Sequence, residues 1–215
     1  MNDNALNVLL IDDHAVVREG LQSILEATRG IVCTQADSAE EALRLIKRGV
    51  PFDVVLLDIS LTGMSGLDAL AAIHNCRPKL AVLLISMLPE DQYARRALRL
   101  GAAGYLCKST ASSEVVRAVQ AAARGEIYLS HAVTLQVALG TSNVVEARPR
   151  HESLSNREFM VLRMIGEGKP VSEIGRLLNL SVKTVSTYRT RVLDKMKMSN
   201  NYDIIRYVLQ EGLIE

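Results

Sequence analysis

Five side chains capable of polar chemistry fall where apolar runs end in the first half of the chain. Asp12 and Asp13 follow Val8–Ile11, Asp58 follows Val54–Leu57, Ser86 follows Leu80–Ile85, and Lys108 comes soon after Ala103–Leu106. Three carboxylates held together repel one another and require a compensating cation. A hard, oxygen-seeking ion such as Mg2+ suits them, because it takes one or two carboxylates and completes its shell with water and phosphate oxygens. Lys108 adds a second positive charge, and the pair would stabilise a phosphoryl group in transfer to a carboxylate oxygen. Asp58 is the natural acceptor, and Ser86 can donate a hydrogen bond to the new phosphate. Each residue alone has a plainer role: Asp12 or Asp13 as a helix cap, Asp58 in a turn, Ser86 as a loop hydroxyl, Lys108 as a solvated charge. The shared placement at run ends is what points to chemistry.

The elements that would position them alternate along residues 1–127. Short unbroken apolar runs, with Ile31–Cys33 as the fifth, are separated by segments of helical spacing such as Val16, Val17, Leu21, Ile24 and Leu25. Ser38–Glu41 reads as a capping box opening the second helix. Runs that do not alternate imply strands buried on both faces, hence a parallel sheet in an α/β layer fold. In the order 2-1-3-4-5, strands 1, 3 and 4 are neighbours, and their carboxyl ends converge where the strand order reverses.

Four separated stretches, LLIDDH (9–14), VVLLDISLTGMSG (54–66), LLIS (83–86) and GAAGYLCKS (101–109), resemble the receiver domain of response regulators over about residues 6–127. The resemblance implies a flavodoxin-like (βα)5 fold with Asp58 as phosphoacceptor. It also implies Mg2+ bound by Asp13, Asp58 and the Ser60 carbonyl, with Asp12 acting through water. Ser86 and Tyr105 would form the switch pair, the hydroxyl moving to the phosphate and the ring turning inward. A sensor histidine kinase is the implied phosphodonor. One position departs from the pattern: many receivers have proline four residues after the phosphoacceptor, and this chain has Thr62, which predicts a less rigid loop.

The last segment, 152–215, has no strand pattern. Ser155–Glu158 is a second capping box, Gly168 and Pro170 separate two helices, Ser181 caps a third, and Tyr202–Gln210 forms a fourth. Ile174, Leu177, Leu178 and Leu180 are expected to face Val182, Val185 and Leu193 across a tight turn. Such a pair can brace its second helix in a DNA major groove. Lys183, Thr184, Ser186, Thr187, Arg189, Thr190 and Arg191 then point outward, mixing hydroxyls with phosphate-neutralising cations. The stretch 154–196 resembles the LuxR/NarL-type DNA-binding domain, which implies a small all-α four-helix domain that binds double-stranded DNA as a homodimer formed on activation. By position in that family, Ser186, Thr187 and Thr190 look toward bases, and Lys183, Thr184, Arg191 and Lys195 toward phosphates. Tyr188 stands where histidine is frequent. Lys197 replaces a frequent glycine, so the end of the third helix is expected to be blurred.

Composition agrees with two domains. The 215 residues are 48% hydrophobic and 23% charged, without Trp and with two Phe, so the cores are aliphatic. Residues 1–140 carry 13 Lys and Arg against 15 Asp and Glu, and residues 141–215 carry 12 against 9. The excess concentrates in 181–197, where five cations face Asp194 alone, as a phosphate-facing surface requires. Between the domains, 128–151 reads as a linker: 140–152 is polar and Pro-containing, and 131–139 is a candidate short helix. Cys33, Cys76 and Cys107 lack metal-ligand spacing and are expected to be reduced thiols. No run approaches a membrane span or a signal peptide, so the expected location is the cytoplasm.

Two other functions share part of this pattern. A phosphatase of the haloacid dehalogenase type shares the strand-end carboxylate, but carries a second aspartate two residues later, where this chain has Ser60. A regulator independent of phosphate would be marked by loss of Asp13, Asp58, Ser86 or Lys108, and all four are present. The expectation is therefore a phosphorylation-switched transcription regulator whose only chemistry is its own phosphorylation.

Overall fold

The computed structural model describes residues 5–87, 90–130 and 149–214. The candidate helix at 131–139 lies outside the described residues. The chain divides into two compact units, parting at Thr141 and Ser142.

The first unit contains the strands β1 (Leu6–Ile11), β2 (Ile31–Ala36), β3 (Val54–Asp58), β4 (Ala81–Ser86) and β5 (Gly104–Cys107). They alternate with the helices α1 (Ala15–Glu26), α2 (Ala39–Lys47), α3 (Gly66–Cys76), α4 (Glu90–Arg99) and α5 (Ser112–Ala123). All strand pairings are parallel and the order is β2-β1-β3-β4-β5. This is the parallel α/β layering expected from the apolar runs, in the flavodoxin-like strand order that the receiver resemblance implies. The two sides of the sheet are read directly from strand periodicity. Val8, Leu10, Val54, Leu56, Leu83 and Ile85 pack with Leu21 and Leu25 of α1 and Val115, Val119 and Ala122 of α5. The intervening Leu9, Ile11, Val55, Leu57 and Leu84 are buried on the opposite side. Burying each Leu or Ile contributes roughly 1.5–3 kcal/mol, so the sheet centre is the most costly region to disturb. Edge strand β2 departs from this rule, with partly exposed side chains in its middle.

Register delivers the polar residues to one end. Ile11 pairs with Leu57 and Asp58 with Ile85, so the residues that terminate β1, β3 and β4 lie side by side. Beyond β4, the Lys108 amide donates to the Ser86 carbonyl at 2.7 Å, which extends the β4–β5 pairing past its last residue.

The second unit holds a 3-10 turn (Arg150–Ser153) and the helices α6 (Asn156–Gly166), α7 (Val171–Leu177), α8 (Val182–Met196) and α9 (Asn201–Gln210). Their N-termini are capped much as the sequence predicts. Ser155 and Glu158 satisfy each other's amides in a complete capping box, and Ser181 accepts from the Thr184 amide. At α2 the predicted box is only half formed: Ser38 accepts from the Glu41 amide, but the Glu41 carboxylate reaches the Asp37 amide instead, at 3.0 Å. The α7–α8 turn depends on a close approach. A Cβ on Gly175 would lie 2.7 Å from the Leu180 carbonyl oxygen, and the Leu180 amide donates to the Gly175 carbonyl at 2.8 Å.

Two expectations require correction. Val182 does not join the core; it is 53% exposed at the start of α8, because the turn spends that position on entry to the helix. The end of α8 is not blurred. Lys197 itself adopts the left-handed conformation at φ 53°, ψ 49°, while the Met198 amide donates to the Leu193 carbonyl at 2.8 Å. Lysine thus completes the stop that glycine usually makes, at a conformational cost of about 1–2 kcal/mol.

Candidate functional site

The carboxyl ends of β1 and β3 and the residue after β5 assemble the acidic cluster. Asp12 is 1% exposed and Asp58 fully buried. Lys108 joins them, its Nζ lying 2.6 Å from Asp12 Oδ2 and 3.0 Å from Asp58 Oδ2. Asp13 sits on the outer side, where its Oδ2 accepts from the Thr62 hydroxyl at 2.6 Å and the Thr62 amide at 3.0 Å. The Ser60 amide donates to Asp58 Oδ1 at 3.1 Å. One candidate ligand atom from each of Asp12, Asp13, His14 and Asp58 lies within 4.8 Å of the others.

Local structure holds these groups in place. The Asp12 carboxylate bonds the His14 amide at 2.8 Å, forming a turn that leads into α1, while Arg18 binds the Asp12 carbonyl at 2.5 Å and the Gln35 side chain at 3.1 Å. After Asp58 the chain loops back, and the Gly66 amide donates to the Ile59 carbonyl at 3.0 Å. A Cβ on Gly66 would fall 2.1 Å from the Asp58 carbonyl oxygen. Only glycine lets α3 start this close to the end of β3.

The charges are strongly coupled. Burial pushes the Asp58 carboxyl above its ordinary value; Lys108 opposes this and Asp12 adds to it, with the Ser60 amide giving partial relief. Burial also works against the Lys108 ammonium, but Asp58 and Asp12 outweigh it and hold the group protonated to higher pH. At Asp13 partial burial is overcome by the Thr62 hydroxyl, the Thr62 amide and His14, which keep its carboxyl below the usual range. Three carboxylates offset by a single, mostly buried lysine keep a net negative charge, an oxygen-rich donor set that fits a hard divalent cation.

Ser86 and Tyr105 are both fully buried, so the Tyr105 ring already lies inward.

In the second unit, Lys183, Ser186, Thr187, Thr190, Arg191 and Lys195 are exposed on α8 and Thr184 is half-buried. The Ser186, Thr187 and Thr190 hydroxyls donate to the carbonyls of Val182, Lys183 and Ser186 at 2.9, 3.0 and 3.1 Å. Arg191 lies over the Tyr188 ring, 5.9 Å from its centroid. Arg189, expected to point outward with the others, instead donates to Asn201 Oδ1 at 2.6 Å and anchors α9.

The receiver domain family of response regulators matches residues 8–120, and the luxR family of bacterial regulatory proteins matches residues 152–208. Response regulator UvrY of Escherichia coli K12 is 34% identical over 97% of this chain and 95% of its own. Response regulator GacA of Pseudomonas aeruginosa is 32% identical over 98% of each. The chain belongs to the two-component response regulators. Among solved structures, response regulator ChrA of a heme-sensing two-component system has a TM-score of 0.51 at 28% identity, covering 98% of this chain and 100% of ChrA. RcsB of Salmonella enterica serovar Typhimurium, bound to promoter rprA with the phosphomimetic BeF3-, has a TM-score of 0.62 over 95% of this chain and 98% of its own. At 22% identity that likeness shows the fold alone.

This response regulator is therefore a transcription regulator built from a receiver and a LuxR-type DNA-binding domain. The structure brings Asp12, Asp13, Asp58, Ser60 and Lys108 into one cluster, with Ser86 ending the adjacent strand. Sequence reasoning missed His14, whose Nδ1 lies 2.9 Å from Asp13 Oδ1 and 3.2 Å from Asp12 Oδ1; its position directly after the paired aspartates was the available signal. Thr62 also ties its loop to Asp13, through both its hydroxyl and its amide, a contact that its departure from proline alone does not reveal. The α6 residues Arg157 and Arg163 are buried, and nothing in their spacing distinguishes them from surface arginines.

Proposed function

We propose that Asp58 accepts a phosphoryl group from a partner sensor histidine kinase and that the modified receiver controls dimerisation and promoter binding. The observation that carries this reading is Lys108 between Asp12 and Asp58, with Asp13 beside them. An Asp58 carboxylate oxygen bonds to phosphorus as the phosphorus–nitrogen bond to the donor histidine breaks, and the electron pair leaves on the imidazole. Lys108 is placed to offset charge on the phosphoryl oxygens, and Ser86 to donate to them once transfer is complete. Asp13, Asp58 and the Ser60 carbonyl, supported by Asp12, would hold Mg2+, which supplies further positive charge to the group in transfer. Tyr105, whose ring is already buried, would serve as the second half of the switch by being held in that position once Ser86 engages the phosphate, rather than by turning inward.

The assignment carries no catalysis of an external substrate. The receiver spans 1–127, the linker 128–151 and the DNA-binding domain 152–215. On DNA, Ser186, Thr187 and Thr190 face bases while Lys183, Thr184, Arg191 and Lys195 face phosphates. The hydroxyl protons are already committed to helix carbonyls, so these oxygens present lone pairs outward. Tyr202 and Leu209 are exposed on α9, as a pairing face between two copies requires, and a dimer would double the phosphate contacts. Among the described residues no helix is long and apolar enough to cross a membrane; the cytoplasmic site of action belongs to this reading through the DNA that the chain would bind.

The test is phosphorylation by acetyl phosphate in Mg2+, followed by intact-mass spectrometry. The parent chain gains one phosphoryl group and Asp58→Asn gains none. Normal labelling of that variant would remove the assignment.

A further inference from the structure

The two oxygens of Asp13 are held differently. Oδ2 takes both donors of a single residue, the Thr62 hydroxyl at 2.6 Å and the Thr62 amide at 3.0 Å. Oδ1 is buried, 2.9 Å from His14 Nδ1. A carboxylate bonded twice through one oxygen loses its freedom to rotate about χ2, and this fixes where the other oxygen points. Thr62 and Asp13 are 49 positions apart in the chain, so the bonds also tie the β3–α3 loop to the end of β1. A proline at position 62 has neither an N–H nor a hydroxyl and can make neither bond.

We propose that Thr62 is a positioning residue for the divalent cation, orienting Asp13 as a ligand from the opposite side of the pocket. The inference rests on the acidic cluster being a Mg2+ site. Outer-shell donors of this kind set the orientation of the ligands they touch, and their loss commonly weakens metal binding 10–100-fold. In this chain a side chain and its own backbone amide combine to do so, which turns the departure from proline into a feature of the metal site.

The measurement is calorimetric titration of the full chain with Mg2+ and no phosphodonor, comparing the parent with Thr62→Ser, Thr62→Val and Thr62→Pro. Thr62→Ser keeps both donors and should bind as the parent does. Thr62→Val keeps the amide alone and should bind more weakly. Thr62→Pro should bind roughly 10–100-fold more weakly than the parent. Unfolding midpoints without Mg2+ should stay together for the parent, Ser and Val chains, which separates ligand orientation from a general effect on folding. Equal affinities for the parent and Thr62→Val, with Mg2+ bound by both, would overturn the role of Thr62 and leave the pocket assignment standing. A parent chain that binds no Mg2+ would remove the pocket assignment and this inference together.

Discussion

Lys195, near the end of α8, places its Nζ 2.7 Å from Oε2 of Glu158 in the first turn of α6. The same carboxylate oxygen accepts from the Ser155 amide at 2.8 Å and completes that helix's capping box. The helix proposed to read DNA is therefore fastened to the helix that opens its domain, through a carboxylate that is almost fully buried.

Glu158→Gln should destabilise the DNA-binding domain in a pH-dependent way. Burial opposes the Glu158 charge, but Lys195 and the Ser155 amide and hydroxyl outweigh it, so its folded pKa lies below the ordinary 4.5. Stability from this group is full above that value and lost as pH falls through the folded pKa. The unfolding midpoint of Glu158→Gln should lie below the parent's at pH 7, by roughly 1–2 kcal/mol in stability. The two should converge in acid. A gap that does not change with pH would show that the charge is irrelevant.

Lys197→Gly should raise stability. The left-handed backbone at Lys197 costs a residue with a Cβ about 1–2 kcal/mol, and part of that gain is offset by the greater freedom of glycine in the unfolded chain. A net gain of roughly 0.5–1 kcal/mol, or a few degrees in the midpoint of a small domain, is expected from thermal unfolding. A lower midpoint would mean that the Lys197 side chain contributes more than its backbone costs.

Asp58→Asn should stabilise the receiver in the absence of divalent cations, most clearly at neutral pH. The folded Asp58 carboxyl titrates above its ordinary 3.8, chiefly because it is buried. The folded form therefore retains the proton longer than the unfolded one, and stability falls as pH rises through the folded pKa. Asparagine has no such loss. The gain should be on the order of 1 kcal/mol at pH 7 and vanish below the unfolded value, as read from denaturant unfolding across pH. Equal stability throughout would contradict the upward shift of the Asp58 carboxyl by burial.

DNA binding should depend steeply on salt, and three substitutions should reduce that dependence unequally. Lys183→Ala and Arg191→Ala should each lower the slope of log K against log salt by about 1. Lys195→Ala should lower it less, because its charge already faces Glu158. Equal slopes for all three would count against that pairing.

Much of this was legible in the sequence because the sheet writes its ends plainly. Three apolar runs buried on both faces stop at a polar residue, so Asp12, Asp58 and Ser86 could be placed at strand ends before any contact was known. Asp13 and Thr62 could not be joined in the same way, since their bonds depend on how the β3–α3 loop folds back beneath Gly66. Periodicity also marks Val182 as apolar without telling a core position from the exposed entrance of a helix. At Lys197 the residue type argued against the left-handed conformation, and tertiary context overrode it.

Past α5, the Tyr128 amide donates to the Ala103 carbonyl at 2.7 Å, the residue pairs with Gly104, and its hydroxyl reaches Glu114 at 2.7 Å. The polypeptide on its way out of the receiver is thus stitched to the strand that carries Tyr105 and leads to Lys108. A displacement of β5 would therefore pass directly to Tyr128 and, through its hydroxyl, to Glu114 of α5, so strand and helix cannot shift independently there.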